Sequence, residues 1–132
     1  MVIDTSALVA ILFDEPDAHR FRSALERASR RRISAASLLE TAIVIEARYG
    51  EAGGREFDLL VHKAALEVVP VDAEQAEVAR HAWREFGKGH HAAGLNYGDC
   101  FAYALAIVSD EPLLFKGTDF ARTDVTPALE DE

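Results

Sequence analysis

The chain has one cysteine, no long uninterrupted apolar run and fewer bases than acids, and each shortage removes a class of protein. A lone thiol, Cys100, cannot close an internal disulfide, so a buried core must hold the fold, and a reducing compartment suits it. No apolar stretch approaches the ~20 residues that span a bilayer. The opening residues carry no basic start, apolar run and cleavage site, so the expectation is a cytoplasmic protein without membrane contact. Lys and Arg number 14 against 23 Asp and Glu, a formal net charge of −9. A polyanion therefore cannot be drawn in by the field of the whole molecule. It would have to be met by a local basic patch and by bound cations. Internal repeats and low-complexity segments are missing too.

What the chain does have is apolar content, 49% of 132 residues, spread along its whole length. That is enough for a sizeable core, and residues 1–132 are expected to form a single domain. Val2-Ile3 reads as a very short strand that runs into Asp4-Thr5-Ser6, followed by a buried helix over Ala7–Phe13 capped by Thr5 or Ser6. Pro16 suits the first turn of a second helix, reaching about Arg30. A short strand follows behind Arg30-Arg31-Arg32. Ser37 and Glu40 have capping-box spacing ahead of a third helix, which the glycines at 50, 53 and 54 separate from another helix over about 55–65. Residues 67–71 alternate as a strand, and a long helix starts at Asp72 or Ala73. A glycine-punctuated basic loop around Lys88, His90 and His91 precedes a helix from Tyr97 or Gly98. Residues 112–115 form a further strand, Asp124–Thr126 could add an edge strand, and the tail 130–132 is expected to fray. Short strands alternating with helices predict an α/β fold with a parallel sheet between helical layers.

Four acids stand at element junctions: Asp4 after the first strand, Glu40 and Asp99 at helix starts, and Asp119 after the last strand. In a parallel sheet those junctions share one edge, where open α/β folds place their chemistry. Ionised carboxylates that converge there need a cation, and oxygen-only ligands select Mg²⁺ or Mn²⁺. A Zn²⁺ site would require Cys or His at ligand spacing, which Cys100 and the adjacent His90-His91 do not provide. Each acid alone also reads as a cap or turn residue. Phosphatases that use an Asp after the first strand want a second acid where Ser6 stands, and receiver domains want their acceptor Asp after a central strand.

The joint pattern resembles the PIN-domain ribonucleases, specifically the VapC-type toxins of bacterial toxin–antitoxin pairs. It is carried by residues 2–7 (VIDTSA), 37–42 (SLLETA), 95–100 (LNYGDC) and 113–120 (LLFKGTDF), and covers nearly the whole chain. Thr118 departs slightly from the family's last motif. The resemblance implies a three-layer α/β/α domain with a short, mainly parallel sheet, and a Mg²⁺- or Mn²⁺-dependent endoribonuclease. In that reading Asp4 and Asp99 ligate the metal, with Glu40 and Asp119 completing the catalytic set. Thr5, Ser6 and Asn96 then support the ligands by hydrogen bonds. RNA would be met by Arg30, Arg31, Arg32, Lys88, His90, His91 and Lys116. Trp83, Phe86 and Tyr97 are expected to pack rather than stack on bases. The resemblance also implies a homodimer and a VapB-type antitoxin, whose amphipathic helix would find a groove between residues 7–13 and 38–47. The rival reading is a catalytically silent PIN-like domain that serves as a protein scaffold.

Overall fold

In the computed structural model, which describes residues 1–130, four strands form one parallel sheet in the order β3-β2-β1-β4. They are β1 (Val2–Ile3), β2 (Arg32–Ser34), β3 (Glu67–Val69) and β4 (Leu113–Leu114). Strands of two or three residues offer few ladder hydrogen bonds, so burial on both faces has to hold the sheet. Val2 and Leu113 face the core built with α4 (Ala73–Phe86) and α5 (Tyr97–Ser109). Ile3, Ile33 and Leu114 face the opposite core, shared with α1 (Thr5–Leu12), α2 (Ala18–Arg27) and α3 (Ala35–Lys63). The period-2 alternation of a strand thus sorts adjacent residues into two cores, and the result is the expected α/β/α sandwich. No helix among the described residues is long and apolar enough to cross a membrane.

Several boundaries differ from the sequence reading, each for a local reason. Asp4 itself caps α1, accepting from the Ser6 N–H, so neither Thr5 nor Ser6 is the cap. Helix α2 starts two residues after Pro16, which lies in the preceding turn. Helix α3 begins at Ala35 because Ser34, the last residue of β2, caps it through the Ala36 N–H at 3.3 Å. Ser37 is therefore already inside the helix, its buried Oγ has no partner among the described residues, and the Ser37–Glu40 capping box does not form. Of the three glycines expected to break the third helix, only Gly50 does, at φ 66° and ψ −161°. Gly53 and Gly54 are helical and buried in the second arm. The expected edge strand over 124–126 reduces to an isolated bridge between Leu113 and Pro127. In the acidic tail, Asp131 and Glu132 lie outside the described residues.

The loop after α4 is pinned rather than loose. Lys88 N–H donates to the Leu95 carbonyl and Leu95 N–H to the Phe86 carbonyl, both at 2.9 Å. The His90 ring meets Trp83 edge-on, and His91 meets Phe86 likewise. This loop delivers the chain to the start of α5, and so sets where Asp99 stands.

Candidate metal centre

Asp4 leaves β1 while still bonded to the sheet, its N–H donating to the Leu114 carbonyl at 2.9 Å. It is 3% exposed. Its Oδ2 accepts from the Ser6 N–H at 3.0 Å and from the Ser6 hydroxyl at 2.6 Å. Ser6 Oγ in turn accepts from the Lys116 N–H at 2.9 Å, so one hydroxyl ties the ends of β1 and β4 and the start of α1 to a single carboxylate oxygen. The other oxygen of Asp4 has no protein donor among the described residues. Burial pushes the Asp4 carboxyl up to about 6. The two Ser6 bonds pull the other way, and the charges of Asp99 and Glu40 raise it further.

Asp99 sits in the first turn of α5 in a reciprocal capping box. Its Oδ2 accepts from the Asn96 N–H at 3.0 Å, and Asn96 Oδ1 accepts from the Asp99 N–H at 2.9 Å. Burial raises the Asp99 carboxyl, the Asn96 bond opposes this, and the charges of Asp119 and Glu40 raise it again. Glu40 comes from the second turn of α3. Its carboxylate lies close against Gly98, where an added methyl group would stand 2.1 Å from Oε2 and 2.9 Å from Oε1. Asp119, exposed, precedes the 3₁₀ turn Phe120–Arg122. The acids thus come from separate parts of the chain, with Asp4 feeling the charges of Asp99 and Glu40, and Asp99 those of Asp119 and Glu40. No cationic side chain among the described residues enters the balance at Asp4 or Asp99.

This donor set suits a hard divalent ion: it is all oxygen, partly buried and without a protein counter-charge. Among the described residues, however, no three His, Cys, Asp or Glu side chains are already closed to the spacing of a single ion's ligands. Asp4 and Asp99 each commit Oδ2 to hydrogen bonds at a helix start, Asp4 as the cap of α1 and Asp99 within the first turn of α5.

The expected supporting residues divide. Ser6 holds the buried carboxylate of Asp4 and Asn96 the half-buried one of Asp99, as described. Thr5 does not; its hydroxyl donates to the Ser37 carbonyl at 3.2 Å and accepts from Thr41 at 3.0 Å, fastening α1 to α3. The expected RNA contacts divide as well. Arg30, Arg31 and Arg32 lie at the amino end of β2, the edge opposite the acids, and they are engaged there. Arg30 pairs with Glu67 at 2.9 Å, and Arg32 lies 3.4 Å from both Glu67 and Glu111. Arg31 donates to the carbonyls of Leu25, Ala28 and Ala64. Lys116 is at the acidic rim, but its ammonium pairs with Glu15 and, at 3.0 Å, with Asp17. Lys88, His90 and His91 are exposed on the pinned loop. Arg122, which the sequence reading passed over, joins that loop to the Asp119 turn through the Ala92 carbonyl at 2.9 Å.

The apolar exposure beside the acids comes from α3 and α5 rather than from α1, whose Ala7, Leu8, Ala10 and Ile11 are core. Leu39 and Ile43 on α3 are 62% and 59% exposed and, with Val44, Tyr97 and Phe101, line a groove of about 320 Å³ that ends at Glu40. Tyr97 is 80% exposed and so is not packed away as expected, whereas Trp83, 47% exposed, packs on the following loop through His90.

The PIN domain family model matches residues 1–125. Ribonuclease VapC30 of Mycobacterium tuberculosis is 64% identical over 125 residues, spanning 95% of this chain and 95% of its own length. A ribonuclease VapC of Mycolicibacterium smegmatis is 64% identical over 95% of this chain and 97% of its own. Among solved structures, the sarcin–ricin-loop-cleaving toxin VapC20 of M. tuberculosis superposes with a TM-score of 0.78 at 14% identity, covering 95% of both chains. VapBC2 of Rickettsia felis, bound to a DNA fragment from its promoter, gives a TM-score of 0.73 at 16% identity over 96% of this chain and 94% of that one. At these low identities the structural matches speak for the fold alone.

Proposed function

This chain belongs to the PIN-domain family, and from that premise we propose that it is a VapC-type endoribonuclease, the toxin half of a toxin–antitoxin pair. What supports the reading is that Asp4 feels the charges of Asp99 and Glu40, and Asp99 those of Asp119 and Glu40, with no cationic side chain among the described residues opposing them. Asp4 and Asp99 would hold Mg²⁺, with Mn²⁺ able to replace it, and Glu40 and Asp119 stand alongside. When bound, such an ion neutralises charge developing on a phosphodiester and activates water. The chain's own groups do the rest. Ser6 fixes one oxygen of Asp4 and leaves the other free, and Asn96 fixes Asp99 in the same way. Glu40, on a longer side chain, is the group able to orient water or take its proton at Oε1 or Oε2.

RNA then reaches an acidic rim through Lys88, His90 and His91 on the pinned loop and through Lys116, which would exchange Glu15 and Asp17 for phosphate. Arg30, Arg31 and Arg32 have no part in this surface. A VapB-type antitoxin with a basic segment suits the same acidic cleft, and its presence would hold the nuclease inactive. A second copy suits the exposed Leu39–Ile43–Val44 face of α3, which would make the active species a homodimer. The whole chain is read as one functional unit at work in the cytoplasm.

Thermal melting with and without metal tests the reading. Mn²⁺ or Mg²⁺ should raise the melting temperature by linkage, and Asp4→Asn together with Asp99→Asn should abolish the rise. A rise that survives both substitutions would place the ion elsewhere.

A further inference from the structure

Gly98 lies inside α5 with ordinary helical backbone, so no turn or positive φ explains a glycine there. Space does. The three heavy atoms nearest to a methyl group built on it are all carboxyl atoms of Glu40: Oε2 at 2.1 Å, Cδ at 2.7 Å and Oε1 at 2.9 Å. Gly87 is different, because there the nearest obstacle is the backbone carbonyl of Trp83 at 2.2 Å, and a side chain would break the fold itself. At position 98 the nearest atoms belong to one flexible side chain, and although Gly54 meets the end of Glu46 in a similar way at 2.8 to 3.0 Å, the acid seated at Gly98 is the one proposed for the site.

We infer that Gly98 is a positioning residue: its bare α-carbon is the seat that lets the Glu40 carboxylate lie over the first turn of α5, next to Asp99. The first turn of α5 therefore organises two acids at once, Asp99 through the Asn96 capping box and Glu40 through the missing side chain. The positive end of the helix dipole favours both negative charges there. Gly98→Ala would not oppose the helix, since alanine is the better helix former. It would displace the tip of Glu40 by swinging a flexible side chain away from Asp4 and Asp99. The inference rests on the nuclease reading above, because it presumes that Glu40 works at the metal site.

The test compares wild type, Gly98→Ala, Glu40→Gln and the double variant, by RNA cleavage and by the Mn²⁺-induced rise in melting temperature. In excess chelator, Gly98→Ala should melt no lower than wild type. With Mn²⁺ it should cleave roughly 10–100-fold more slowly, the scale on which misplaced supporting groups act at metal sites, and its melting shift should shrink. Adding Gly98→Ala to Glu40→Gln should cost nothing further, since both changes remove the same placed carboxylate. Gly98→Ala/Glu40→Asp, with a side chain one methylene shorter, should recover part of the cleavage. Wild-type cleavage and melting shift in Gly98→Ala, or a loss that adds fully to that of Glu40→Gln, would overturn the inference. Should Gly98→Ala itself melt early, Gly98→Ala/Glu40→Ala decides: restored stability supports the Glu40 contact, and continued instability overturns it. If Glu40→Gln and Asp99→Asn both keep full cleavage and full Mn²⁺ shift, the nuclease site itself is misassigned, a different failure from that of Gly98.

Discussion

Asp4 carries two tasks that pull against each other: it caps α1, and it stands buried in the field of two other acids. Its carboxyl, raised from 3.8 to about 6, binds a proton more tightly folded than unfolded. The contribution of Asp4 to stability should therefore be fully present below about pH 4 and be lost as pH rises through about 6, a change of about 3 kcal/mol for this one group. Metal-free urea denaturation between pH 4 and 8 measures this slope. Asp4→Asn should flatten it and gain stability at pH 8, because asparagine remains an able N-cap. A slope unchanged by that substitution would remove Asp4 as its source. Ser6→Ala, which deletes a hydroxyl donor to Asp4 Oδ2, should move the fall to higher pH. The four acids were legible in the sequence because their type and their place after strands or at helix starts are local properties. The direction in which Thr5 points was not, since its hydroxyl answers to Ser37 and Thr41, more than thirty residues away.

Among the elements, the start of α3 decides what Glu40 can do. Spacing alone offers Ser37 and Glu40 as a capping box, but Ser34 at the end of β2 takes the cap three residues earlier. Glu40 is thereby left free for the site. The two serines should respond oppositely to what spacing suggests. Ser34→Ala should cost about 1 kcal/mol, the usual loss for a cap. Ser37→Ala removes a buried hydroxyl with no partner and should be neutral or slightly stabilising. Equal losses in thermal denaturation would reinstate the capping box. The four short strands and most helices follow from alternation and caps, whereas the strand order β3-β2-β1-β4 is not a local property. The single break at Gly50 does not, because Gly53 and Gly54 are kept helical by the close packing of the second arm against Ile45, Glu46 and Tyr49. Likewise, the loop at 87–96 reads as flexible from its glycines, and tertiary ring contacts with Trp83 and Phe86 pin it.

Over the molecule as a body, charge and apolar exposure are both unevenly placed. Bases cluster in residues 30–32 but are spent on Glu67, Glu111 and backbone carbonyls at the far sheet edge, a pairing no linear reading displays. The acidic rim instead adjoins the exposed α3 face of Leu39, Ile43 and Val44. A surface of that kind beside a site marks an interaction face more than a solvent face. If the proposed homodimer uses this face, Leu39→Glu with Ile43→Glu should convert it to a monomer in sedimentation equilibrium while leaving the melting temperature nearly unchanged. A mass that these substitutions leave unaltered would contradict a dimer contact through this face.

Acids from four elements, gathering a divalent ion for cutting RNA, are what the proposed function depends on most. The rate of RNA cleavage by the purified chain in Mg²⁺, repeated in excess chelator, probes that dependence without intermediaries. Cleavage should stop on chelation, return when Mg²⁺ is restored, and never start in Asp99→Asn. Cleavage that proceeds undiminished in chelator, or in Asp99→Asn, would refute the metal-dependent site.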